Sequence, residues 1–191
     1  MSLLVRPATS FPDVAAVLGP RRPDASVCWC LSYRLRSSAE NRSLTGPARG
    51  ERVEHLCALD PPPGVLAYRD GEVVGWVAVH PRADTSFATN RRIPHVDDLD
   101  VWSVWCFRVR PGHRKQGITH ALLDGAVAFA RDHGAPAIEG YPVDNGGRRV
   151  DLTMAYVGTR KLFEDAGFVP ASATTSVLAG FPRVVMRLDL R

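Results

Sequence analysis

Val109-Arg110-Pro111-Gly112-His113-Arg114-Lys115-Gln116-Gly117-Ile118-Thr119 is the stretch that decides the reading of this 191-residue chain. It follows an apolar, strand-like run (101–109) and leads into an amphipathic helical pattern, about 117–133, with Ile118, Leu122, Gly125, Ala126 and Phe129 on one stripe. His120, Asp124 and Arg131 fall on the other side. A helix start leaves its first N–H groups without intrahelical acceptors, and the macrodipole adds partial positive charge there. Strand, glycine-bearing basic turn, helix is therefore an arrangement suited to a pyrophosphate. Arg108, Arg110, Arg114 and Lys115 crowd the turn, and no acidic residue lies between Val101 and Asp124. The turn lacks the Gly-Lys-Ser/Thr ending of a nucleotide P-loop and the three glycines of a dinucleotide site.

Outward from this turn the elements follow from period and punctuation. Residues 136–141 read as the next strand, and strand–helix–strand with a short return means a parallel pair with a right-handed crossover. Residues 3–6 read as a strand, and 11–18 as a helix stopped by Gly19-Pro20. A helix is expected over about 48–59, ended by Pro61-Pro62-Pro63. Asp70-Gly71 marks a hairpin between strands 65–68 and 73–80. Residues 81–100 form a long polar connection holding His95, Asp97, Asp98 and Asp100, and a connection of that length points to a substrate-facing loop. A helix is expected over 151–166, stopped by Gly167, and 183–190 alternates as a closing strand.

Length and a composition of 45% apolar and 23% charged residues fit one soluble domain. No apolar run of membrane-spanning length and no signal peptide is visible, so a cytoplasmic location is expected, with no membrane partner. The net charge of +4 comes from local arginine clusters and shows no basic–aromatic stripe, so no nucleic-acid partner is expected. Cys28, Cys30, Cys57 and Cys106 read as free, mostly buried thiols. A Cys28-Trp29-Cys30 pair with His55 and Cys57 lacks the usual two-residue gap of a zinc site, and no metal is expected.

Two motifs carry a resemblance to a known family. Arg114-x-x-Gly117-x-Thr119, preceded by Val109-x-Pro111, resembles the acyl-CoA pyrophosphate loop of the GNAT superfamily of N-acetyltransferases, with Thr119 where the family has glycine or alanine. Leu162-Phe163-Glu164-Asp165-Ala166-Gly167-Phe168 is similar to the family's Leu-Tyr-x-x-x-Gly-Phe. The two span about 101–168, and the first hundred residues match only in element order. The resemblance implies a single α/β domain over 1–191: a mixed, mostly antiparallel central sheet with a splayed parallel strand pair and flanking helices. It implies direct transfer of an acetyl group from acetyl-CoA to a primary amine, on a small-molecule acceptor, in a ternary complex. It also admits a homodimer, and a non-catalytic acyl-CoA-binding sensor or regulatory module is the alternative.

The residues implied for the cofactor are Arg114, Lys115, Gln116, Gly117, Ile118 and Thr119 in the loop, and Phe107, Arg108 and Val109 through strand backbone. Tyr156 and Phe163 join them, as positions seven apart on one face of the expected 151–166 helix. Phe163 stands where the family often has a tyrosine that protonates the departing thiolate, and a phenyl ring has no proton to give. Tyr156 and Glu139 are the catalytic candidates. Glu139 is a mid-strand carboxylate beside Ile138, Gly140 and Tyr141, so desolvation would make it a better base, unless it is a buried ion-pair partner. Asp144-Asn145-Gly146-Gly147-Arg148-Arg149 reads as a loop at the ligand-binding side of the sheet.

Overall fold

The computed structural model describes residues 2–22, 24–35, 37–151 and 156–191. In chain order the elements are β1 (Leu3–Pro7), α1 (Phe11–Leu18), α2 (Ser38–Ser43), α3 (Pro47–Cys57), β2 (Gly64–Arg69), β3 (Glu72–Pro81), β4 (Trp102–Val109), α4 (Ile118–Asp132), β5 (Ala137–Gly140), α5 (Arg160–Asp165), β6 (Val169–Leu178) and β7 (Phe181–Asp189). All seven strands join one sheet in the order β1-β2-β3-β4-β5-β7-β6. Every neighbouring pair is antiparallel except β4–β5. This is the mixed, mostly antiparallel α/β sheet with one parallel pair that the resemblance implies.

Local chemistry explains the elements that position the site. Asp70 and Gly71 both adopt left-handed backbone, as a tight hairpin turn requires, and hold β2 against β3. The apolar stripe of α4 packs on one sheet face with Val65, Val74, Val104 and Ile138. Gly125 allows that approach, because a Cβ there would lie 2.3 Å from the Val5 side chain. The opposite face carries Leu66, Trp76, Trp105 and Tyr141 under α1, α3 and the segment 28–35. That segment is pinned to the sheet where Trp105 Nε1 donates to the Ser32 carbonyl at 2.9 Å.

The parallel ladder is short. Trp102, Ser103 and Val104 of β4 pair with Ile138, Glu139 and Gly140, and beyond them the strands part. β4 bulges at Cys106, which has a φ of 57°, where its register against β3 slips. The gap is bridged by chain from later in the sequence. Phe107 N–H donates to the Tyr156 carbonyl at 2.8 Å, and Val143 N–H to the Gly158 carbonyl at 3.1 Å.

Two expectations are corrected and one unexpected strand is added. The helix expected over 151–166 begins only at Arg160; residues 152–155 lie outside the described residues, and Tyr156 and Val157 form a turn. Gly158, at a φ of 86°, breaks the helical path, and the Thr159 hydroxyl caps the new start by accepting from Leu162 N–H at 3.4 Å. Tyr156 therefore does not share a helix face with Phe163. Second, β6 is a ten-residue strand that the sequence pattern did not announce. It is a largely exposed edge strand with an early proline, so it shows neither a buried run nor clean alternation. Third, Cys30 and Cys106 are not free thiols but are joined as a disulfide, leaving Cys57 buried and Cys28 exposed as free cysteines. No described helix is long and apolar enough to cross a membrane.

Candidate active site

The turn between β4 and α4 engages the Arg110 and His113 N–H groups but leaves those at the start of α4 without acceptors among the described residues. Gly117 caps α4 with a φ of 77° and no side-chain cap, and the N–H groups of Gly117, Ile118, Thr119 and His120 have no acceptor among the described residues. Nothing lies within 4 Å of a Cβ built on Gly117, so its bare backbone faces open space. Arg114 and Lys115 are exposed and make no ion pair among the described residues, whereas Arg110 is held by Glu72 at 2.6 Å. Gln116 is engaged by Arg69. The fold thus brings one distant carboxylate to the cationic turn, at Arg110, and leaves its exposed Arg114 and Lys115 without an ion pair among the described residues.

Beside this turn a cleft of about 710 Å³ opens between α4 and α5. His120, the loop 144–147, Thr159, Arg160 and Lys161 line it. Its rim cations are partly offset: Arg160 pairs with Asp144 at 2.9 Å, and Lys161 with Asp165 at 2.8 Å. Phe107 and Val109 lie on β4 next to the turn, with Phe107 buried and Arg108 and Val109 half-buried. Phe163 is fully buried, edge-on to Phe107 and Phe168, with its ring where a Gly140 Cβ would be. Only glycine at 140 leaves room for it.

Glu139 is 1% exposed. Its carboxylate lies 2.9 Å from Arg82 and 3.6 Å from Arg187, and accepts from the Tyr141 hydroxyl at 3.1 Å. Burial raises its carboxyl above the usual range, against the lowering pull of Arg82, Tyr141 and Arg187. This is the geometry of a buried ion pair. The same burial pushes the Tyr141 phenol up, and its hydroxyl also meets Ser103 at 2.9 Å.

Tyr156 reaches the opposite sheet face from α4. Its hydroxyl donates to that of Tyr33 at 3.4 Å, and burial followed by the Tyr33 neighbour raises its pKa, so it remains protonated. Tyr33 stacks on Phe87 and takes a hydrogen bond from Arg183 at 3.1 Å. Sequence reasoning missed Tyr33, Arg82 and Arg183; an arginine amid the apolar residues of a strand was the available signal for the last.

The polar connection 81–100 is anchored and folds over this face. Phe87 and Ile93 are fully buried, Arg82 donates to the Ile93 carbonyl, and Asp97 pairs with Arg187 at 2.9 Å. His95 only meets the Ala88 carbonyl at the surface, and Asp98 and Asp100 are exposed. No group of three or more His, Cys, Asp or Glu among the described residues could hold a metal ion.

The fold agrees with that of known proteins. The sequence profile of the Acetyltransferase (GNAT) family matches residues 33–151. No curated protein matches the chain. Among solved structures, yncA from Salmonella typhimurium, solved with its cofactor acetyl-CoA, superposes with a TM-score of 0.59 at 17% identity, covering 100% of this chain and 95% of that one. A GNAT-family acetyltransferase from Streptococcus pneumoniae gives 0.56 at 16% identity, with both chains fully covered. The PaiA N-acetyltransferase from Thermoplasma acidophilum, in complex with coenzyme A, gives 0.55 at 13% identity and 99% of each chain. At these identities the likeness shows the fold, and the profile match over most of the sheet adds the membership: the chain belongs to the GNAT acetyltransferase family.

Proposed function

We propose that this protein is an N-acetyltransferase that binds acetyl-CoA at the β4–α4 turn and passes its acetyl group directly to a primary amine. The observation that carries the reading is the set of unengaged N–H groups at the start of α4, flanked by the free cations Arg114 and Lys115 and opening beside the α4–α5 cleft. The pyrophosphate would take the 114–119 turn, and the pantetheine arm would run along Phe107, Arg108 and Val109. Phe107 N–H is then the donor for the thioester carbonyl, which requires the Tyr156 carbonyl to give way when the cofactor binds.

The amine nitrogen attacks the carbonyl carbon, the carbon–sulfur bond breaks, one proton leaves the nitrogen and one reaches the thiolate. A free amine near pKa 10 needs a proton acceptor at neutral pH. Tyr156 keeps its phenolic proton; its backbone carbonyl lies on the Phe107 N–H while its hydroxyl faces Tyr33, and we assign it the donor role that Phe163 cannot fill. Glu139, enclosed by Arg82 and Arg187, is assigned to positioning Tyr141 rather than to direct contact with the acceptor. Phe163 would back the pantetheine arm through Phe107 and Gly158. The acetyl-CoA-binding sensor remains the second reading, favoured by the buried, hydroxyl-free Phe163.

Calorimetry and thiol release test this. Wild-type protein should bind acetyl-CoA and release CoA with an amine panel. Gly117→Val should raise the cofactor Kd at least about tenfold, since valine resists a positive φ and its bulk intrudes on the phosphate approach. Arg114→Ala should cost about 1–3 kcal/mol of binding. Failure of the wild type to bind any acyl-CoA would overturn the proposal; binding without turnover would favour the sensor.

A further inference from the structure

Arg183 is a buried cation without an anion. Four arginines are buried among the described residues: Arg49, Arg82, Arg183 and Arg187. Arg82 and Arg187 face Glu139, and Arg187 adds Asp97 and Asp189. Arg49 is filled by oxygens of Leu44 and Asn41. Arg183 has no carboxylate within ion-pair distance. Its Nε donates to the Tyr141 carbonyl at 2.7 Å and its Nη1 to the Tyr33 hydroxyl at 3.1 Å, while the buried Nη2 has no acceptor among the described residues. The residues beyond those described include no Asp or Glu, so none of them supplies the missing anion. A guanidinium 4% exposed and left one donor short is costly to fold around unless something negative completes it.

Its surroundings place that unpaired donor beside the chemistry. Tyr33 accepts from both Arg183 and Tyr156, and the Tyr156 carbonyl sits on Phe107 N–H. The guanidinium is therefore linked, through two tyrosine side chains, to the donor assigned to the thioester carbonyl. It lies on the sheet face away from α4, and Tyr33 and Tyr156 are half-buried, so the cluster reaches solvent. The backbone holding Tyr33 is strained: Trp29, Cys30 and Tyr33 take φ values of 46°, 56° and 64°. Ser86 N–H on the Tyr33 carbonyl at 2.7 Å keeps that turn in place.

We propose that Arg183, with Tyr33 and Tyr156, binds a carboxylate of the acceptor, so that the substrates are amines carrying a carboxylate close to the reacting nitrogen, amino acids in the simplest case. This rests on the acetyl-transfer reading. The carboxylate takes no part in bond making; it fills the free Nη2 and a tyrosine hydroxyl with charge-assisted hydrogen bonds and orients the amine towards the thioester.

The test uses wild-type protein, acetyl-CoA and matched pairs of amino acids and their amides, followed by thiol release. The acid of each pair should be favoured at least tenfold in kcat/KM, and Arg183→Met should bring the acid-to-amide ratio towards one through KM. Should that variant not fold, calorimetry on wild type with N-acetylglycine against N-acetylglycinamide reads the same preference, and Tyr33→Phe should weaken it. Equal use of acid and amide, or equal binding of the two glycine derivatives, overturns the proposal. Acetyl-CoA binding with turnover of amines lacking a carboxylate, and no preference for acids, defeats this inference alone. Absence of acetyl-CoA binding defeats the acetyl-transfer reading beneath it.

Discussion

Glu139 and Phe163 show how single side chains change meaning once their neighbours are known. In sequence, Glu139 is a carboxylate among apolar residues and is open to two readings, a tuned base or an ion-pair partner. Its contacts with Arg82 and Arg187 give Glu139→Gln a definite expectation. Two buried cations would lose their shared anion, so chemical denaturation should show a loss of about 3–5 kcal/mol, with near-normal turnover in the folded fraction. A stable variant with turnover down about 10²–10⁴-fold would make Glu139 the base instead. Phe163→Tyr looks harmless in sequence, even corrective. At 0% exposure, against Phe107, Phe168 and Gly140, the added hydroxyl has no partner and no room. It should lower stability by about 1–3 kcal/mol and leave CoA release no faster, as thermal melts and thiol assays would show.

At the scale of elements, α5 and the chain before it set the form of the splay between β4 and β5. Gly158 is needed there for two reasons: its φ is 86°, and a Cβ would come within 3.1 Å of Phe163 and 3.3 Å of Phe107. Gly158→Ala should therefore cost about 1–2 kcal/mol in backbone strain alone. It should also speed hydrogen exchange at the Phe107 amide, because the Tyr156 carbonyl would be displaced from it. Unchanged exchange at Phe107 would show that the segment adapts without moving. By contrast α4 and the β2–β3 hairpin follow their local signals closely: the apolar stripe from Ile118 to Phe129 is the buried face, and Asp70-Gly71 is the turn. The start of α5 was also present locally, as Gly158-Thr159 ahead of Leu162, but the continuing apolar residues upstream masked it.

For the whole molecule, buried ionisable groups give stability a pH dependence. Burial, then the nearby Arg34 guanidinium, holds His80 down at about 4 from an ordinary 6.5, with Asp84 pulling the other way. The unfolded chain therefore takes up a proton before the folded one does. The stability this histidine contributes is complete above about pH 6.5 and is lost as pH falls towards 4, on the order of 3 kcal/mol across that window. Thermal melts of wild type and His80→Gln from pH 7 to 4 test this: the variant should lose less on acidification. An equal acid loss in both would place the effect elsewhere.

What the sequence determined by itself was the part of the protein governed by local rules. A period of 3.6 over α4, a turn dipeptide between β2 and β3, and a glycine-bearing basic turn after an apolar strand each act over a dozen residues or fewer, and each is where it was expected. With the helical crossover these imply the parallel pair and the open turn before α4. Only the tertiary structure decided the other wall of the candidate site. Arg183 meets Tyr33 across 150 positions, Arg82 meets Glu139 across 57, and Cys30 reaches Cys106 across 76. Those meetings depend on strand order and on how the segments 28–35 and 81–100 fold over the sheet, where packing and charge pairing between distant elements outweigh any local preference. The edge strand β6 belongs to the same class, since an exposed strand is defined by its hydrogen-bonded neighbour, β7, more than by its own residues.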